Sequence, residues 1–176
     1  TRFDCMIGSS AGMRMALSQA LHHCRLRSAF GRRLNEQPLM QNVLTDLALE
    51  SEAALTLTLR MARAMDERAI EQEDLLVRLV TAVGKYWICK RTPGHAYEAM
   101  ECIGGSGVME DTMMPRLYRE APINAIWEGS GNIQALDMLR AAGRDPGCIE
   151  ALMAELSLAR GANKTFDAWL DELAHD

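Results

Sequence analysis

From about Asp4 to Arg27 the apolar residues Met6, Met13, Leu17, Ala20, Leu21 and Cys24 recur at helical spacing. They share one face of a helix long enough to cross a whole domain. The same period returns from about Leu39 to Ile70, through Met40, Leu44, Leu47, Met61 and Met65. Within it, Leu55-Thr56-Leu57-Thr58-Leu59 alternates as a strand would, but the helical flanks on both sides outvote it. A third stretch starts at the acidic Glu71-Gln72-Glu73-Asp74, a composition suited to a helix start. It runs on through Leu76, Leu79, Val80, Val83, Trp87 and Ile88. Pro93-Gly94 is expected to kink or interrupt it, because proline removes a helical donor and clashes with the preceding turn. The pattern resumes from Ala96 to Ile103 and stops at Gly104-Gly105-Ser106-Gly107.

A loop with a helical turn at Pro115–Glu120 leads to a fourth helix over about Asn132 to Ala142. Arg144-Asp145-Pro146-Gly147 reads as a linker. Two short amphipathic helices follow, carrying Ile149, Leu152, Met153 and Leu156, then Phe166, Trp169, Leu170 and Leu173. Four main helices joined by loops make an all-α bundle. The 12 Met and only 5 Pro among 176 residues agree with that class.

Net charge is −5 with no basic block, which argues against a nucleic-acid surface. Residues 141–176 hold three Lys/Arg against seven Asp/Glu, so this end is not expected to bind DNA either. The 5 cysteines are scattered without metal spacing and read as buried, reduced thiols in a cytoplasmic protein. No apolar run is long enough to span a bilayer. The chain begins at Thr1 rather than Met and reads as a piece of a longer protein.

The chemistry concentrates at Ile126-Trp127-Glu128-Gly129-Ser130-Gly131-Asn132. A carboxylate stands between apolar residues and a glycine-rich turn that opens a helix. One reading is a loop glutamate beside an ordinary helix cap. The other is a base shielded from water by Ile126 and Trp127, with Gly129 admitting a ligand close to the backbone. Ser130 and Asn132 are cap-type residues whose helix start would face an anionic or carbonyl oxygen. Two further clusters are Arg27-Ser28-Ala29-Phe30-Gly31, with Gln37 downstream, and Glu101-Cys102-Ile103-Gly104-Gly105. By themselves these are a solvated arginine before a turn and a glycine helix cap.

Trp-Glu-Gly-Ser-Gly-Asn resembles the Tyr-Glu-Gly-Thr-Ser-Gln signature of acyl-CoA dehydrogenases. The run Met114–Arg140 resembles the AidB-like, adaptive-response branch of that family, and the resemblance extends back to Thr1 and fades after Arg140. It implies that residues 1–142 form the family's C-terminal four-helix up-and-down bundle, with 143–176 a helical extension. The N-terminal helical and central β domains of a complete enzyme would lie outside this chain. Glu128 would be the base that takes the α-proton of an acyl-CoA, its own N–H polarising the thioester carbonyl. Ser130 and Asn132 would meet FAD. Arg27 would clamp the FAD diphosphate of a neighbouring subunit, a task suited to guanidinium, with Phe30 packing near it.

Gln37 falls where the family has a His-Gln pair, but Pro38 replaces the second member. Gly104 and Gly105 would hold the adenosine side, with Glu101 where the family has Gln. A carboxylate accepts from ribose hydroxyls but repels phosphate. Arg2 falls where the family has a substrate-side arginine, Gly129 would also contact substrate, and a frayed terminal charge is the alternative for Arg2. The resemblance further implies a dimer or tetramer and transfer of electrons to an electron-transfer flavoprotein. This chain alone is not expected to retain FAD. Two alternatives stay open: an AidB-like flavoprotein of the DNA-alkylation response with little dehydrogenase activity, and a helical interaction module.

Overall fold

Helix α1 (Arg2–Leu26) crosses the molecule and buries the residues its spacing marks, among them Met6, Met13, Leu17, Ala20 and Cys24. The computed structural model describes residues 1–175. After α1 comes a minimal antiparallel hairpin, β1 (Ser28–Ala29) and β2 (Arg32–Arg33), with Ser28 opposite Arg33. A single 3-10 turn over Leu34–Glu36 leads into α2 (Pro38–Asp66), with proline at its first position, where the missing N–H costs nothing. Helix α3 (Glu71–Ile103) returns through the centre and contacts α1, α2, α6 and α7. Then follow α4 (Met114–Glu120), α5 (Ile123–Ile126), α6 (Gly131–Arg144), α7 (Gly147–Ser157) and α8 (Lys164–Leu173).

The fold is the expected helical bundle. At one expected break the helix continues. Pro93 lies inside α3 without interrupting it. Thr92, beside it, donates from its hydroxyl to the Ile88 carbonyl at 2.8 Å. Packing of both ends of α3 against α1 and α2 outweighs the single lost helical hydrogen bond.

The core has two main parts strung along α1. Near its start, Met6 and Met13 pack with Ala54, Met61, Leu76, Val80 and Ile88. Near its end, Leu17, Ala20 and Cys24 pack with Leu44, Leu47, Ala99, Met100 and Met114. Each fully buried Leu, Ile, Val or Met among these is worth about 1.5–3 kcal/mol. A smaller cluster of Leu79, Ala141 and Cys148 attaches α6 and α7 to α3. Arg60 of α2 reinforces that side, donating to Glu155 of α7 at 2.6 Å and to Glu73 of α3 at 2.8 Å. All five cysteines are buried free thiols. Among the described residues no helix is long and apolar enough to cross a membrane.

Candidate functional site

The turn between α5 and α6 carries Glu128 in a left-handed conformation, φ 57°, followed by Gly129 at φ 101°. For a non-glycine residue that geometry is strained and persists only where surroundings impose it. Here three side chains impose it, two of them from distant elements. Lys85 of α3 is 1% exposed, and its Nζ donates to the Trp127 carbonyl at 2.8 Å and the Gly129 carbonyl at 2.6 Å. Gln134 of α6, 2% exposed, donates from Nε2 to the carbonyls of Glu128 and Gly129 at 3.1 and 2.8 Å. Arg2 donates from Nε to the Glu128 carbonyl at 3.2 Å.

The three successive carbonyls therefore point into the protein. The backbone N–H groups of Glu128, Gly129 and Ser130 have no acceptor among the described residues. The Glu128 carboxylate accepts one hydrogen bond, from the Thr1 hydroxyl at 3.0 Å.

Arg2 is not the frayed charge the sequence alone allows. Besides Glu128 it bonds the buried Asp137 carboxylate of α6, which also faces Arg78 and Arg140 at 3.8 and 3.4 Å. Burial alone would push the Asp137 carboxyl up, but these guanidiniums outweigh it and hold it below the usual carboxylate range.

The apolar shield expected around Glu128 is not formed among the described residues. Ile126 and Trp127 are 61% and 53% exposed, and Glu128 itself is exposed. The indole N–H of Trp127 bonds the Asn124 side chain at 3.0 Å, within its own surface turn. Ser130 takes the N-cap position of α6 without a side-chain cap bond, and Asn132 is exposed one residue into the helix. Asn132 borders a cavity of about 360 Å³ with Val83, Tyr86, Gly131 and Met138.

The second group of expected residues gathers at the far end of α1. Arg27, Glu101, Gly104 and Gly105 line one open groove of about 810 Å³, together with His23, Met40 and Ser106. Arg27 pairs with no carboxylate among the described residues. Gly104 ends α3 at φ 71°. A Cβ built on Gly104 or Gly105 would meet nothing, so the backbone is open to a ligand. The Glu101 carboxylate accepts the Tyr97 hydroxyl at 2.9 Å. Phe30 is 99% exposed at the hairpin tip, and Gln37 donates to the Ala29 carbonyl at 3.1 Å, bracing the hairpin.

The expected residues thus fall into two sets, Glu128 with Arg2, Gly129, Ser130 and Asn132 at one end, and Arg27, Phe30, Gln37, Glu101, Gly104 and Gly105 at the other. The sequence reading missed Lys85, Gln134 and Asp137. A lysine and an aspartate inside otherwise apolar helical faces were the available signal.

Comparison with known proteins shows the family. Residues 1–143 match the family model described as acyl-CoA dehydrogenase, C-terminal domain. AidB of Escherichia coli (strain K12) is 47% identical over 167 residues, covering 95% of this chain and 31% of AidB. The structure of Caenorhabditis elegans ACDH-11 in complex with C11-CoA superposes with a TM-score of 0.86 at 30% identity, over 97% of this chain and 30% of that one. An acyl-CoA dehydrogenase from Geobacillus kaustophilus gives a TM-score of 0.67 at 26% identity, over 79% of this chain and 35% of that one. The chain spans about a third of the length of these relatives. With its helical bundle, its Trp-Glu-Gly turn and this match, the chain belongs to the acyl-CoA dehydrogenase family, as a C-terminal domain.

Proposed function

We propose that this chain is the C-terminal domain of a longer flavin-dependent acyl-CoA dehydrogenase, in which Glu128 removes the α-proton of an acyl-CoA thioester. The observation that carries this reading is the turn itself. A carboxylate-bearing residue is held at positive φ, with its carbonyls tied inward and its N–H unpaired. Such strain accompanies function more often than it accompanies ordinary loops. The Glu128 N–H would donate to the thioester oxygen, where negative charge develops as the α-proton leaves. The Glu128 carboxylate would accept that proton. In the longer protein, other domains would cover Ile126 and Trp127 and exclude water from the carboxylate.

The residues present fit FAD. An unpaired guanidinium at Arg27 suits a diphosphate, and the bare backbone at Gly104 and Gly105 admits close approach. Ser130 and Asn132 would meet the same kind of cofactor at the other end. When bound, FAD supplies the acceptor for the β-hydride. Because the two sets lie at opposite ends of α1, the Arg27 groove would serve a neighbouring subunit's cofactor, and the active form would be a dimer or tetramer. Acyl-CoA is the substrate class, and an electron-transfer flavoprotein is the proposed electron acceptor.

The test uses the full-length protein. Glu128→Gln keeps size and hydrogen-bonding reach but removes the proton acceptor. It should slow acyl-CoA-driven flavin bleaching on the order of a hundredfold to ten-thousandfold while FAD stays bound. Arg27→Ala should instead weaken FAD retention. The 47% identity to AidB favours a second reading, a flavoprotein of that branch with little dehydrogenase activity. A parent protein that holds FAD but is not bleached by acyl-CoA would select it.

A further inference from the structure

Lys85 is the largest side chain buried below 2% exposure. Removing an ammonium group from water is costly unless it is paired. Lys85 has no carboxylate partner among the described residues. Its two bonds go to the carbonyls on either side of Glu128, at Trp127 and Gly129. A cation held inside a bundle solely by the backbone of one loop has that loop as its purpose. A lysine that served only packing would be replaced at less cost by methionine, of which the chain uses 12.

The geometry gives Lys85 a specific job. The peptide plane ahead of Glu128 can rotate only if the Trp127 carbonyl leaves the ammonium, and the plane after Gly129 only if the Gly129 carbonyl does. The Trp127 carbonyl must stay inward for Glu128 to remain at positive φ with its N–H on the open side, and the Gly129 carbonyl fixes where the turn leaves. Gln134 repeats the restraint on Glu128 and Gly129 from the next helix, but among the described residues it makes no bond to Trp127. Lys85 alone among the three anchors grips the turn ahead of Glu128 as well as behind it. A small rotation there would swing the carboxylate and the N–H together, and misplacement on the order of 1 Å costs about a hundredfold in rate.

We propose that Lys85 is a positioning residue for proton abstraction, setting the orientation of Glu128 through the Trp127 and Gly129 carbonyls. The proposal rests on the reading of Glu128 as the base. In the step it supports, the Glu128 carboxylate takes the α-proton as H⁺. The C–H electron pair moves to the thioester oxygen as an enolate, the carboxylic acid proton of Glu128 exchanges with solvent, and Glu128 returns a proton or deuteron to the same carbon.

The reversible step can be watched alone. In 3-thiaoctanoyl-CoA a sulfur replaces the β-carbon, so no β-hydride can leave. In deuterium oxide, uptake of deuterium at its α-carbon, followed by mass spectrometry with the full-length holoprotein, reads only the proton transfer. Lys85→Met should slow uptake on the order of tenfold to a hundredfold, with affinity for the analogue retained. Lys85→Gln keeps one donor and should recover part of the rate. Uptake at the parent's rate in Lys85→Met overturns the proposal. So does a parallel fall of uptake, analogue affinity and melting temperature that Lys85→Gln does not relieve, since that marks a merely structural lysine. If Lys85→Met does not fold, Lys85→Gln decides on the same criterion: slowed uptake at unchanged affinity supports the proposal, and parental uptake overturns it. Glu128→Gln run alongside separates the two readings. Parental uptake in that variant removes the base itself, whereas abolished uptake beside a normal Lys85→Met removes only the role of Lys85.

Discussion

Arg2 and Arg27 bracket α1: the first opens the helix and bonds the Glu128 carbonyl, and the second follows its last residue and borders the Gly104–Gly105 groove. A helix of this length spans about 37 Å at 1.5 Å per residue. No single FAD-sized ligand held within one chain can touch both ends. The proposed base and the proposed diphosphate clamp would therefore act in different sites of an assembly.

That separation predicts complementation. Arg27→Ala subunits keep Glu128 but lack the clamp, and Glu128→Gln subunits keep the clamp but lack the base. Each homo-oligomer should be impaired. When the two are unfolded and refolded together, hybrids should contain sites with an intact base and a neighbour's intact clamp, and dehydrogenase activity should return. Mixtures no more active than the sum of the separate variants would mean that each chain completes its own site.

Gly129 tests the turn from the inside. At φ 101° any side chain is strained, and a Cβ there would lie 2.7 Å from Ile133 Cγ2 and 2.9 Å from Gln134 Nε2. Gly129→Ala should push Gln134 off the turn carbonyls and cost activity on the order of a hundredfold. Gly131→Ala is the control. Gly131 is the first residue of α6, and its Cβ would press on the exposed Tyr86 ring at 3.0 Å, so a small shift accommodates it. Equal activity in the two variants would show that the left-handed turn is dispensable.

Much of this molecule was legible in its sequence, and the exceptions share a cause. The helices α1, α2 and α3 followed from apolar spacing, because burying one face of a long helix leaves a periodic trace. The Glu128 turn was legible because its glycines and carboxylate are adjacent in the chain. Lys85 lies 42 positions before Trp127, and Arg2 lies 126 before Glu128. A side chain bonding a backbone carbonyl at that separation imposes no residue type on its partner, so nothing marks the pair. The exposure of Trp127 escaped for a related reason. An apolar residue beside a carboxylate indicates that something covers them, and its sequence neighbours do not say whether the cover lies within the same chain.

His95 predicts a pH dependence of stability. Its imidazole is buried, with Nε2 3.0 Å from the Leu47 carbonyl and Nδ1 without a partner among the described residues. Burial lowers its pKa, opposed by the Leu47 carbonyl and the Glu50 carboxylate. A group that binds protons less readily folded than unfolded favours the folded state above its unfolded pKa, near 6.5. That contribution falls away as pH drops towards the folded value. The melting temperature should therefore decline from about pH 7 to about pH 5, and His95→Gln, which keeps a donor for Leu47 but does not titrate, should flatten that decline. Identical pH profiles for the two proteins would remove His95 from the account.

Pro93 offers the last test, of how α3 tolerates a helix breaker. Proline has no N–H for the Cys89 carbonyl one turn back, and its ring crowds that carbonyl. In α3 this occurs with Thr92, Ala96 and Ala99 buried on either side, so tertiary packing holds the helix through the defect. If packing alone does so, Pro93→Ala restores the missing bond without disturbing the core and should stabilise the protein by about 1–3 kcal/mol. Thermal unfolding with and without the substitution measures this directly. A destabilised Pro93→Ala variant would mean that the backbone around Pro93 is shaped for the bundle's packing, and that an unbroken helical bond there is incompatible with how α3 meets α1 and α2.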